Sequence, residues 1–124
     1  MKILIIDDSS VARRTIGLTV EALGYDVLEA PNGKEGLSLL EKNVDQISLV
    51  LLDWNMPGLT GLEVLQEIRK NSKYETIPVM MVTTEMERSN MIAAVKAGAK
   101  HYVTKPFTPE SLSIRIMQCL GVAE

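Results

Sequence analysis

A doubly wound α/β domain built on a parallel sheet is predicted by three features of this 124-residue chain. Short apolar runs lack polar alternation, as expected of strands covered on both faces. Helical periods separate these runs. The connections are short, so the chain reads as five consecutive βα units with right-handed crossovers.

The first strand is Ile3-Leu4-Ile5-Ile6, closed by Asp7 and Asp8. Ser9 or Ser10 is a natural N-cap for the helix that follows, whose Ala12, Ile16, Val20 and Leu23 share one face. Gly24 then acts as a stop. Tyr25 to Ala30 reads as the second strand, Pro31-Asn32-Gly33 as a turn, and Lys34 to Glu41 as a short helix. Leu49-Val50-Leu51-Leu52 is the third strand, closed by Asp53. The loop Met56-Pro57-Gly58-Leu59-Thr60-Gly61 leads to a third helix lined by Leu62, Leu65 and Ile68. Val79-Met80-Met81-Val82 is closed by Thr83, and Met91, Ile92, Val95 and Gly98 mark the fourth helix. Tyr102-Val103-Thr104 runs into Lys105. Thr108 caps the fifth helix, with Pro109 at its first position and Glu110 just inside. Its apolar stripe is Leu112, Ile116, Cys119 and Leu120. With no linker or internal repeat, residues 1–124 form one expected domain, with no room for an output domain.

The composition, 46% hydrophobic and 23% charged, is that of a soluble globular protein. A formal charge of −3 and basic pairs no longer than Arg13-Arg14 and Arg69-Lys70 argue against nucleic acid as a partner. The single Cys119 excludes an intramolecular disulfide and reads as a small apolar residue on the buried side of the last helix. Met1-Lys2 leads directly into a strand, without a signal peptide, and no apolar run approaches a membrane span. A cytoplasmic location is expected.

In an open parallel sheet the C-terminal strand ends share one edge, where ligands bind. Asp7, Asp8, Asp53, Thr83 and Lys105 therefore converge on one crevice although they are far apart in sequence. Three neighbouring carboxylates repel unless a cation joins them. Oxygen-only ligands point to a hard ion such as magnesium, which takes one or two carboxylates and keeps several waters. Lys105 adds a positive charge and Thr83 a hydroxyl, groups that stabilise a transferring phosphoryl group. Asp53 is the candidate nucleophile, because an aspartate can carry an acyl phosphate.

The chain resembles response-regulator receiver domains, and among them the stand-alone chemotaxis regulators of the CheY type. The likeness covers essentially the whole length. It rests on Ile6-Asp7-Asp8, Asp53-Trp54-Asn55-Met56-Pro57-Gly58, Thr83, and Tyr102-Val103-Thr104-Lys105-Pro106-Phe107, in order and each at a predicted strand end. The resemblance implies a flavodoxin-like five-stranded sheet of order 2-1-3-4-5 with five helices. It implies that Asp53 is the phosphoacceptor, and that Asp7, Asp8, Asp53 and the backbone carbonyl of Asn55 hold Mg2+, with Mn2+ as the alternative ion. Thr83 and Lys105 would bind the phosphoryl oxygens, Lys105-Pro106 would be a cis peptide, and Thr83 with Tyr102 would form the switch. The implied partners are a sensor histidine kinase and a downstream protein that docks on the face of the fourth helix, fifth strand and fifth helix. A monomer without membrane or nucleic-acid partners is expected, catalysing only its own phosphorylation and dephosphorylation.

Thr84 departs from the small residue common at its position, which would tighten access to the phosphoryl site. Asn55 and Glu85 flank the implied path of the hydrolytic water and point to a short-lived phosphorylated state. Trp54 reads as a partly exposed neighbour of the site, Met56, Met80, Met81 and Met91 as packing residues, and His101 as a loop residue. Met86 and Met91 could instead line a docking surface. Close packing would account for Gly17 inside the first helix. Competing functions are a single-domain relay intermediate or phosphate sink, an aspartyl-phosphate phosphatase acting on small molecules, and a flavin binder on the same fold. The phosphatase reading is disfavoured because no acid stands two residues after Asp53, and the flavin reading because three acids crowd the phosphate end of the crevice.

Overall fold

A computed structural model describes residues 1–84 and 88–121, without the side chains of Thr83, Thr84 and Arg88. The elements are β1 (Lys2–Ile6), α1 (Ser10–Ala22), β2 (Asp26–Ala30), α2 (Gly33–Lys42), β3 (Ile47–Asp53), α3 (Gly61–Lys70), β4 (Val79–Thr84), α4 (Arg88–Lys96), β5 (His101–Lys105) and α5 (Pro109–Leu120). The strands pair in parallel in the order β2-β1-β3-β4-β5, as expected.

The uninterrupted apolar runs fill both faces of this sheet. Leu4 and Ile6 of β1 and Val50 and Leu52 of β3 pack with Leu40 of α2 and Val64, Leu65 and Ile68 of α3. Their alternates Ile3, Ile5, Leu49 and Leu51, with Met80 and Val82, pack with Ile16 and Val20 of α1 and Leu112, Ile116 and Cys119 of α5. Each such side chain contributes roughly 1.5–3 kcal/mol by burial, so the three central strands are the most firmly held part of the molecule. Those strands carry Asp7 and Asp53.

The helix ends follow local chemistry. Ser9, not Ser10, caps α1, its Oγ accepting from the Ala12 amide at 3.1 Å. Asn32 caps α2, accepting from Glu35 N at 2.8 Å, so the expected turn there serves as a helix start and α2 runs one residue longer at each end than predicted. Thr60 and Glu63 form a capping box at α3, which begins at Gly61. Thr108 and Pro109 start α5 as predicted.

Other expectations change as well. β2 begins at Asp26. His101 opens β5, paired with Met80, so it belongs to a strand and not to a loop. In α4 the expected apolar markers Ile92 and Val95 are 56% and 54% exposed, while Ala94 is buried. The helix presents its small alanines to the core, where a short side chain permits close approach, and leaves its larger apolar residues outside.

Candidate functional site

β1 and β3 lie side by side at the centre of the sheet, and Ile6 pairs with Leu52. The next residue on each strand is an aspartate, so Asp7 and Asp53 emerge together at the sheet's C-terminal edge. Carboxylate oxygens of Asp7, Asp8 and Asp53 lie within 4.8 Å of one another. Asp7 and Asp53 are only 1% and 6% exposed, whereas Asp8 faces solvent. Lys105, at the end of β5, reaches across: its Nζ donates to Asp7 Oδ2 at 3.1 Å and to Asp53 Oδ1 at 3.3 Å. Asp7 is gripped further by the Ser9 amide, which donates to its Oδ1 at 2.9 Å, and by Arg13 Nη1, which donates to its main-chain oxygen at 2.7 Å. The Lys105–Pro106 peptide is cis.

Burial, then the Asp7 charge, pushes the Asp53 carboxyl from 3.8 up to about 6, with Lys105 pulling the other way. Burial works to lower the Lys105 ammonium, but Asp53 and Asp7 outweigh it and hold the group above its ordinary value. The site thus concentrates more negative charge than one lysine offsets. A cavity edge lined by three carboxylates, one open to solvent, with no nitrogen or sulfur donor in the cluster, fits a hard divalent cation.

Local structure fixes the nucleophile candidate from behind. The Gly61 amide donates to Trp54 O at 2.9 Å, drawing the start of α3 onto the end of β3. A Cβ at Gly61 would overlap the Asp53 carbonyl oxygen and lie 2.7 Å from Trp54 Cα. Only glycine permits that approach, a requirement that the loop sequence does not reveal. Trp54, expected to be partly exposed, is 9% exposed and belongs to the core beside Met56 and Val64.

Thr83 lies on β4 one residue beyond Val82, which pairs with Asp53, and opposite Thr104, so its backbone is at the crevice. Its side chain, with Glu85 and Met86, falls outside the described residues. Thr84 is level with Lys105. Tyr102 is 40% exposed and points away from the core. With Met91, Ile92, Val95 and Lys96 it lines an open, largely apolar groove of about 430 Å³. His101 is held below its ordinary value by burial and then by Arg115 and Lys100, and Cys119 is buried, its thiol pushed up to about 11 by desolvation. Neither stands in the crevice.

Comparison with known proteins places the chain in one family. The family model for the response regulator receiver domain matches residues 3–117. The chain is 47% identical over 122 residues to a chemotaxis protein CheY homolog of Campylobacter jejuni, covering 98% of this chain and 93% of the relative. It is 43% identical to chemotaxis protein CheY1 of Helicobacter pylori, covering 98% of both. Among solved structures, chemotaxis protein CheY4 of Vibrio cholerae superposes with a TM-score of 0.88 at 33% identity, over 96% of this chain and 98% of that one.

Proposed function

Because the chain belongs to the response-regulator receiver family, we propose that it is a phosphoryl-accepting switch whose acceptor is Asp53. The observation that carries this reading is the single crevice in which three carboxylates lie within 4.8 Å and the Lys105 ammonium bridges two of them. Asp7, Asp8, Asp53 and the Asn55 backbone carbonyl would hold Mg2+, with Mn2+ able to replace it. The ion supplies positive charge to the phosphoryl oxygens when bound.

The donor is a phosphohistidine of a sensor histidine kinase. An Asp53 carboxylate oxygen attacks phosphorus, a P–O bond forms, the P–N bond breaks, and the imidazole nitrogen leaves with the electron pair. The rest is done by groups of this chain. Asp7 and Asp8 would hold the cation, the Lys105 ammonium shifts from Asp53 to a phosphoryl oxygen, and the Thr83 hydroxyl donates to another. Each such bond is charge-assisted, and each exists only in the phosphorylated state. That difference is what shifts the population between two conformations.

The outer end of the switch is Tyr102, which turns inward as Thr83 is drawn to the phosphate. The groove of Met91, Ile92, Val95 and Tyr102 supports protein contact as the output, because it is apolar and lies on the α4–β5–α5 face. Given the chemotaxis relatives, the pathway is chemotaxis, and the regulator works as a cytoplasmic monomer. Among the described residues, no helix is long and apolar enough to cross a membrane.

Phosphoramidate, whose P–N bond resembles that of phosphohistidine, tests the acceptor. Wild type in Mg2+ should become labelled, and Asp53→Asn should not. Label that persists in Asp53→Asn would overturn the assignment.

A further inference from the structure

Arg13 stands on α1, outside the acid cluster, yet its guanidinium makes two directed contacts that tie the cluster's Asp7 to Glu29 of β2. Nη1 donates to the main-chain carbonyl of Asp7 at 2.7 Å, and Nε pairs with Glu29 Oε1 on β2 at 3.0 Å. Its side chain is only 16% exposed, against 49% for Glu29. The fork is planar and rigid, so a partner at one nitrogen fixes where the others point. Glu29 therefore aims Arg13, and Arg13 holds the Asp7 oxygen.

That oxygen belongs to the peptide joining Asp7 to Asp8. A peptide unit is planar, so holding its oxygen also sets the direction of the Asp8 amide and Cα. Asp7 needs little help, since its amide donates to Ala30 O at 3.1 Å and both carboxylate oxygens accept hydrogen bonds. Asp8 is exposed and lacks such support among the described contacts. We infer that Arg13 is a positioning residue for the cation site: clamped by Glu29, it orients the Asp7–Asp8 peptide and so keeps the Asp8 carboxylate facing Asp7 and Asp53. The inference rests on the cation-binding reading of the acid cluster. Groups that orient ligands in this way commonly change metal affinity by 10- to 100-fold when removed.

Electrostatics alone makes the opposite forecast. Deleting a cation near three carboxylates lessens repulsion of Mg2+ and should tighten binding. The direction of the change therefore separates positioning from charge. MgCl2 is titrated into wild type, Arg13→Ala and Glu29→Gln, followed by Trp54 fluorescence, with thermal melts of each protein in chelator. Arg13→Ala is expected to raise the Mg2+ dissociation constant roughly tenfold, and Glu29→Gln by a smaller factor in the same direction. Unchanged or tighter binding by Arg13→Ala would overturn the inference, as would a lowered melting temperature with unaltered Mg2+ affinity. If Arg13→Ala does not fold, Glu29→Gln decides, and wild-type affinity in that variant overturns the proposal. Should wild type itself not respond to Mg2+ by fluorescence or by thermal stabilisation, the cation-site reading fails and the role of Arg13 falls with it.

Discussion

Burial and the neighbouring Asp7 carboxylate raise the Asp53 carboxyl to about 6, so in chelator this side chain takes up a proton at a pH where an unfolded aspartate remains ionised. The folded state then binds more protons than the unfolded one between about 4 and 6. Stability from Asp53 is fully present below 3.8 and is lost as pH rises through about 6, a difference of up to about 3 kcal/mol for a two-unit shift. His101 acts in the opposite sense, because its lowered proton affinity withdraws stability as pH falls below its ordinary 6.5. The informative quantity is therefore the difference between wild type and Asp53→Asn in chelator. The variant should gain stability over wild type as pH rises from 5 to 8 in urea melts, and a pH-independent difference would count against the shift. Lys105→Ala removes the cation that pulls Asp53 down, and should move that transition to higher pH.

At the scale of elements, two glycines give opposite forecasts for the same substitution. Gly61→Ala at the start of α3 places a methyl against backbone that cannot yield, and should destabilise by about 1–3 kcal/mol while slowing phosphorylation. Gly17→Ala inside α1 meets only the Val27 methyl carbons and Ile5 Cδ1, the nearest at 3.8 Å. It should stabilise by roughly 0.5–1 kcal/mol through helix propensity, and packing does not account for this glycine. Urea midpoints of the two variants check both signs, and equal shifts would refute the contrast. α4 is held differently at its C-terminal end. Arg69 donates from Nε to Gly98 O at 3.1 Å, from Nη1 to Tyr74 O at 3.1 Å and from Nη2 to Ile77 O at 3.0 Å. Arg69→Met should leave these acceptors without their charged donor, lower stability by about 1–3 kcal/mol, and raise amide exchange around Ala97–Ala99. Exchange unchanged there would show that the turn holds without the guanidinium. The caps at Ser9 and Thr108 could be read from sequence because capping is local chemistry, whereas Thr60 was hidden in a loop and is a cap only in the fold. The orientation of α4 could not, since a nine-residue helix with both an alanine stripe and an Ile92–Val95 stripe offers the sheet two candidates. The roles of Gly61, Arg13 and Arg69 depend on contacts between elements, which leave no periodic mark.

For the molecule as a whole, the apolar runs without alternation specified a sheet buried on both faces, and parallel pairing then brought every strand's final residue to one edge. That rule alone placed Asp7, Asp53 and Lys105 together, across 52 and 98 residues of separation from Lys105. The burial of Trp54 lay beyond it, because strand alternation no longer applies once β3 ends at Asp53. The central claim is that this edge forms a Mg2+-dependent phosphoryl acceptor at one residue. It is tested most directly by the intact mass of wild type and Asp53→Asn after exposure to a small acyl phosphate, with Mg2+ and with chelator. A single added phosphoryl group in wild type with Mg2+, absent from the other three samples, is the predicted result. An adduct that survives chelation or the loss of Asp53 would contradict it.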